Sequence, residues 1–257
     1  MNKALLRFSL NGRRALVTGS SQGIGLALAK GLAEAGASVI LNGRDPEKLA
    51  SSVTRLGEEG LEVEGSSFDV TDESSVRSAI GTLHATGQNI DILVNNAGIH
   101  RRSPLLEMSL ADWNAVLETN LTSAFLVSRA VAPGMITRGS GKIVNICSLM
   151  SDLARPTIAN YSAAKGGLRM LTRSMCAEWA GKNLQINGIS PGYIETEMTK
   201  SLVQDEKFDS WIRGRTPAGR WGRVEDLVGA CIFLSSPASD YVNGHLLLVD
   251  GGLSVVV

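Results

Sequence analysis

Tyr161 and Lys165 stand four residues apart, and Tyr161 follows Ser148 by thirteen. On a helix that spacing is just over one turn, so the two side chains share a face. A free phenol, with a pKa of about 10, is a poor base at neutral pH. An ammonium group held beside it favours the phenolate and moves that pKa toward working range. A serine hydroxyl brought alongside can hydrogen-bond the oxygen whose proton Tyr161 gives or takes. Such a set interconverts an alcohol and a carbonyl, and it needs a hydride carrier.

The stretch Thr18-Gly19-Ser20-Ser21-Gln22-Gly23-Ile24-Gly25 supplies the place for one. Glycines allow a tight turn, and missing Cβ atoms let a pyrophosphate approach the backbone at a helix N-terminus. The spacing is GxxxGxG rather than GxGxxG. Its position between an apolar run and a helical pattern makes Gly19, Ser21, Gln22, Gly23, Ile24 and Gly25 candidate cofactor contacts. An acidic residue ending the second strand would bond ribose hydroxyls and select NAD. Here Asn42-Gly43-Arg44 stands instead. Gly43 brings no charge, and Arg44 can fork onto a 2′-phosphate, so NADP is the expected cofactor. Asp45, next in sequence, weakens that case.

Short apolar runs alternate with helical patterns along the chain. Strands are expected over 15–17, 38–42, 61–68, 91–95, 142–147, 184–189 and 245–249. Helices are expected from Gly23 to a stop at Gly36, from Asp45-Pro46, after a cap at Thr71 or Asp72, and from Glu225 to Leu234. A long helix from Ser109 toward Arg138 is expected to break near Pro133, and another carries Tyr161 and Lys165. This alternation predicts one α/β domain over 1–257: a doubly wound parallel sheet with helices on both faces and a ligand crevice at the strands' carboxyl ends.

The chain has 257 residues, 44% of them hydrophobic, enough for a substantial core. Lys plus Arg and Asp plus Glu balance at 25 each, which gives no overall reason to expect nucleic acid or an anionic membrane as partner. Cys147, Cys176 and Cys231 are scattered without a CxxC pair, which fits reduced thiols and a cytoplasmic location. Lys3, Arg7, Asn11, Arg13 and Arg14 interrupt the segment after Met1, so no signal peptide is expected. Neither is a membrane-spanning run. His84 reads as a surface helix residue, and His100 and His245 as structural. No metal is expected, for want of a second clustered ligand. Cys147 reads as core rather than nucleophile.

With Thr18–Gly25, Asn95-Asn96-Ala97-Gly98, Asn120, Ser148, Tyr161-x-x-x-Lys165 and Pro191-Gly192 in this order, the chain resembles the short-chain dehydrogenase/reductase family over nearly its whole length. The resemblance implies a Rossmann-type domain with a seven-stranded sheet, and a homotetramer. It implies that Asp69 and Val70 contact adenine, and that Asn95, Ala97 and Gly98 line the crevice and steady the sheet. Ile194, Thr196 and Met198, after Pro191-Gly192, would hold the nicotinamide end. Tyr161 and Lys165 would also contact cofactor, Lys165 through the nicotinamide ribose. Asn120 would hold a water linking Lys165 to solvent. An asparagine there also predicts a disturbance of its helix.

Within that family, Ile99-His100-Arg101-Arg102, Asn145–Ser148, Pro191-Gly192-Tyr193 with Thr196–Thr199, and Arg215–Gly222 resemble members that interconvert gluconate and 5-ketogluconate. Those members usually have glutamine at His100 and Met150, and often proline at Asn160. Met150 and Asn160 are expected to flank the substrate, and a thioether removes hydrogen bonds that a polyol needs. Another sugar or polyol, a 3-oxoacyl thioester or a bulkier hydrophobic ketone therefore stays open as substrate. Arg101, Arg102 and Arg155 are candidates for gripping a carboxylate, alongside Ser148, Met150, Tyr193 and Trp211 as substrate contacts. Residues 195–220 read as a mobile lid.

Overall fold

The computed structural model describes residues 3–87 and 89–256. Met1, Asn2, Gln88 and Val257 lie outside the described residues, and with them the two ends of the expected 1–257 domain. The elements run α1 (Lys3–Leu6), β1 (Arg14–Val17), α2 (Gly23–Glu34), β2 (Ser38–Gly43), α3 (Pro46–Glu58), β3 (Val63–Ser67), α4 (Glu73–Ala85), β4 (Ile92–Asn95), α5 (Leu110–Leu117), α6 (Ser123–Arg138), β5 (Gly141–Ile146), α7 (Ala159–Trp179), β6 (Leu184–Pro191), α8 (Lys200–Val203), α9 (Glu206–Arg215), α10 (Val228–Ser235) and β7 (Leu246–Val249).

Local chemistry accounts for several boundaries. Asp45 caps α3 by accepting from the Glu47 and Lys48 N–H groups, with Pro46 at the first helical position. Asp72, rather than Thr71, caps α4 through the Ser74 and Ser75 N–H groups. Gly36, at φ +102°, follows the end of α2.

The long helix expected over 109–138 is disturbed at Asn120, as its asparagine predicts, and not at Pro133. A π-helical turn at Glu118–Thr122 separates α5 from α6, and α6 runs straight through Pro133. Proline forfeits one intrahelical bond, whereas the π turn inserts a residue, Asn120, that is pulled onto the Ile99 backbone. The helix from Glu225 begins as a 3-10 turn, Val224–Leu227, before α10.

The seven strands form one parallel sheet in the order β3-β2-β1-β4-β5-β6-β7. Side chains alternate between its faces. Val17, Leu41, Val94 and Val144 pack under α2, α3 and α10. Their neighbours Leu16, Ile40, Leu93 and Ile143 pack under α4, α6 and α7. Each core strand is therefore apolar on consecutive residues, as a sheet covered on both faces requires. Strand order reverses between β1 and β4, and that switch point opens a crevice at the carboxyl ends.

His84 is half-buried rather than on the surface. Its Nε2 is buried without a partner among the described residues, because α4 and α6 pack tightly enough that a Cβ on Gly134 would lie 3.3 Å from the ring. No helix of the described residues is long and apolar enough to cross a membrane.

Candidate active site

One crevice of about 540 Å³ runs along the carboxyl ends of the strands from Arg44, Lys48 and Asp69 at one end to Ser148, Tyr161 and Arg155 at the other. The glycine loop forms its floor. Gly19 sits at φ +61°, and a Cβ there would lie 2.9 Å from the Ala97 Cα, so only glycine fits. The loop is pinned from both neighbouring strands. Asn42 Oδ1 accepts from the Gly19 N–H at 3.2 Å, and Asn96 Nδ2 donates to the Thr18 and Gly19 carbonyls at 3.0 and 2.9 Å. Thr18 Oγ1 in turn accepts from the Asn96 and Ala97 N–H groups. The backbone beside α2's N-terminus is thus held open and glycine-walled, which suits a pyrophosphate.

Gly19, Ser21, Gln22, Gly23, Ile24, Gly25, Arg44, Asp69, Val70, Ala97, Gly98, Pro191, Gly192, Ile194, Thr196 and Met198 all line the crevice. Asn95 does not. It is buried, and its Nδ2 donates to Ser128 Oγ and Asn145 Oδ1, while Asn145 Nδ2 donates to Thr172 Oγ1. This chain of buried amides bolts β4 and β5 to α6 and α7, so Asn95 steadies the sheet without facing the crevice.

At the Arg44 end, Asp45 is occupied by its own helix cap, and the capping N–H groups hold its carboxyl below the usual range. Its charge is also met by Lys48, whose Nζ is 3.7 Å away. Lys48, which sequence reasoning missed, joins Arg44 in the lining. The signal was available: the third residue into a helix capped by Asp45 points back toward the end of β2. Arg44 lies 3.8 Å from the Asp69 carboxylate.

At the other end, α7 carries Tyr161 and Lys165 on one face, and Ser148 follows β5. Lys165 is buried and donates from Nζ to the Ile146 carbonyl at 2.6 Å. Its Nζ is 5.6 Å from the Tyr161 ring centre. The expectation that Lys165 lowers the Tyr161 pKa is not met by the protein alone. Burial pushes the phenol up to about 12, with the Ser148 hydrogen bond acting in the opposite direction. Burial also brings Lys165 down to about 8. Desolvation dominates at both residues, and both groups are driven toward their neutral forms.

Ser148 accepts from the Met150 N–H at 3.1 Å and so caps the short turn Leu149–Ser151. Asn120 sits in the π turn with its side chain engaged. Both ends of its side-chain amide are spent on Ile99, accepting from its N–H at 2.8 Å and donating to its carbonyl at 3.0 Å. The side chain therefore fixes the strand-end loop at Ile99. Cys147 is buried with its thiol pushed up to about 11, the state of a packed, unreactive sulfur.

The arginine candidates separate. Arg102 and Arg155 line the crevice, whereas Arg101 turns away, 59% exposed and 3.6 Å from Asp112. Alternate residues of an extended loop face opposite sides, which sends Arg102 inward and its neighbour out. Burial and the nearby Arg155 both lower the Arg102 pKa. Arg155 is oriented by Tyr193 Oη at 3.3 Å and lies over the Phe208 ring at 4.8 Å. Tyr193 and Met150 line the crevice; Trp211 does not. Trp211 is half-exposed, sits edge-on to Tyr193 and packs against the Phe208 ring. Asn160 is wholly buried and absent from the lining. It donates to the Arg101 and Asp112 carbonyls and accepts from the Tyr161 N–H.

A doubly wound sheet with a glycine-walled crevice, ending in half-buried Ser148 and Tyr161 beside a buried Lys165, defines a dinucleotide-dependent alcohol–carbonyl oxidoreductase. Residues 19–254 match the family described as enoyl-(acyl carrier protein) reductase, and the chain belongs to the short-chain dehydrogenase/reductase family. It is 56% identical over 96% of its length to gluconate 5-dehydrogenase of Gluconobacter oxydans, covering 97% of that protein. It is 50% identical to 5-keto-D-gluconate 5-reductase of Escherichia coli, over 97% of this chain and 98% of that one. Among solved structures, it superposes with a TM-score of 0.97 on a gluconate 5-dehydrogenase from Burkholderia cenocepacia in complex with NADP and tartrate. That protein is 56% identical, with 99% of this chain and 100% of the other covered.

Proposed function

We propose that the protein interconverts D-gluconate and 5-keto-D-gluconate with NADP(H). It is an NADP(H)-dependent oxidoreductase acting on the alcohol or ketone of a sugar acid, and the proposal fixes the substrate pair and the roles of the residues. The observation that carries the acidic substrate is the pair Arg102 and Arg155. Both face the crevice beside Tyr161, and among the described residues neither forms an ion pair with a carboxylate. Two like charges in one partly desolvated cleft call for an anion, and guanidinium matches a carboxylate bidentately.

Gly19 to Gly25 and the N-terminus of α2 would hold the pyrophosphate of NADP(H), with Arg44 and Lys48 on its 2′-phosphate and Asp69 and Val70 on adenine. Pro191, Gly192, Ile194, Thr196 and Met198 would hold the nicotinamide end. Bound there, the dinucleotide supplies or accepts the hydride. In reduction, Ser148 orients the carbonyl oxygen and Tyr161 donates its proton to it. Lys165 steadies the charge that develops on Tyr161 and bonds the ribose. Asn120 positions the loop through Ile99.

Residues 195–220 act as the lid, a reading supported by Thr196, Met198 and Leu202 in the crevice wall. A homotetramer is supported by exposed apolar side chains on two separate surfaces, taken up below. The balanced charge and scattered free cysteines support a cytoplasmic protein that has neither membrane nor nucleic acid as a partner. A bulkier, less polar ketone is the second reading, favoured by Met150 and its apolar neighbours Tyr193, Leu202 and Phe208.

The deciding experiment measures NADPH oxidation with 5-keto-D-gluconate, with a neutral ketose and with a simple alkyl ketone, in the wild type and Arg102→Ala. The keto acid is expected to be preferred, and Arg102→Ala to raise its KM by about 10–100-fold, the worth of a charge-assisted contact. Turnover of the alkyl ketone alone would establish the second reading instead.

A further inference from the structure

His100 lies flat on the Tyr161 ring, with centroids 3.8 Å apart and planes 27° off parallel. It shares the crevice wall with Arg102, Ser148 and Arg155. Its Nδ1 is buried and has no hydrogen-bond partner among the described residues. The ring is neutral at working pH: burial, then Arg102, Lys165 and Arg155, bring its pKa down to about 4. No carboxylate is among the groups acting on it. A neutral imidazole carries one donor and one acceptor nitrogen, and leaving one unsatisfied in a buried position is costly. An aromatic that served only to pack against Tyr161 would carry no such cost. A half-turn about Cβ–Cγ keeps the stack and carries Nδ1 to the opposite ring edge, so the unmet bond can be offered to the crevice.

We propose that His100 is a specificity-determining residue that hydrogen-bonds a substrate hydroxyl flanking the reacting carbonyl, while its ring holds the Tyr161 phenol in place. Its position beside the proton-donating phenol puts it next to the substituents of the carbon being reduced. The arginines read one end of the substrate, and His100 reads the hydroxylation at the other. A ligand with a flanking hydroxyl completes the imidazole's hydrogen bonding, whereas one without it leaves the nitrogen unpaired. The proposal rests on the sugar-acid reading of the site.

The test compares kcat/KM for 5-keto-D-gluconate with that for a keto acid lacking the hydroxyls that flank the carbonyl. Wild type, His100→Phe and His100→Asn are assayed, with NADPH affinity read by fluorescence as a check of folding. His100→Phe keeps a stacking ring and is expected to lower the preference for the hydroxylated substrate by about tenfold, mostly through KM. His100→Asn keeps a polar atom near the Nδ1 position and is expected to restore most of that preference. A His100→Phe enzyme that retains the wild-type preference overturns the proposal, as does one that loses activity on both substrates in equal proportion. A wild type that ignores sugar acids altogether overturns the substrate reading instead, so the two failures are told apart.

Discussion

Lys165 shows how a site can be built against the stability of its own fold. Folded Lys165 releases its proton near pH 8, whereas an ordinary lysine does so at 10.5. Between those values the unfolded chain holds more protons, so stability rises with pH across that window, and below it the penalty is fully present. The gap corresponds to about 3 kcal/mol at most, since the Ile146 carbonyl still accepts a bond from the ammonium. Tyr161, pushed up to about 12, acts only above pH 10, where it reverses the slope. Urea midpoints of the cofactor-free protein are therefore expected to climb from pH 7.5 to 9.5. Lys165→Met should start higher at pH 7.5, lack the climb and lose turnover. A flat wild-type profile would show that Lys165 is not desolvated as described. At the far end of the crevice, Arg44 is met among the described residues by the Asp69 carboxylate at 3.8 Å. Arg44→Ala is expected to raise the KM for NADPH by about tenfold and leave that for NADH nearly unchanged, because only the 2′-phosphate distinguishes the two. An unaltered cofactor ratio would remove Arg44 from that role.

Among the elements, α7 is positioned by contacts that a linear pattern does not reveal. The Tyr161–Lys165 spacing was readable because it is local to one helix, and the parallel sheet because each strand and helix carries its own apolar period. Asn160 was misplaced toward the substrate, since its neighbour in sequence is the phenol. Its side chain instead turns inward to join α7 to the Arg101 loop and to Asp112 on α5. Arg101 and Arg102 were indistinguishable in the sequence for the same kind of reason: a short loop has no period, and only the packed Asn160 and the Ile99–Asn120 clasp fix which one faces in. The His100 stack was invisible too, because a lone histidine after a strand has no marker of the ring it will meet. Asn160→Ala leaves those backbone groups without partners, at a cost of about 2 kcal/mol. The melting temperature is expected to fall by about 4–8 °C, with kcat reduced because the His100–Arg102 loop loses its anchor to α7. Calorimetry on the purified variant checks this, and an unchanged melting temperature would mean that the bracket is not structural.

For the whole molecule, two apolar surfaces lie apart on the described residues. Leu110 on α5, Phe125 on α6 and Met170 on α7 are exposed on the helical face that covers one side of the sheet. Leu248 on the edge strand β7, with Val255 and Val256 just beyond it, is exposed at the sheet's margin. An uncovered edge strand with apolar side chains invites pairing, and contiguous exposed apolar groups mark contact sites. Two different self-complementary surfaces, each with its own two-fold axis, close into a D2 tetramer, whereas one alone stops at a dimer. Charging one surface should therefore remove one axis and leave the other. Phe125→Glu with Met170→Glu is expected to give a dimer by light scattering, and Leu248→Glu with Val255→Glu a dimer of the other kind; all four together should give a monomer. In such an assembly an edge-strand dimer would cover β7 and the Asp250 turn. That turn holds Gly252 and Ser254 through the Asp250 carboxylate and brings Leu253 into the cluster behind Tyr193. Loss of the edge contact is thus expected to reduce turnover more than loss of the helical one. A wild type that sediments as a monomer, or a helical-face variant that stays tetrameric, would refute this assembly.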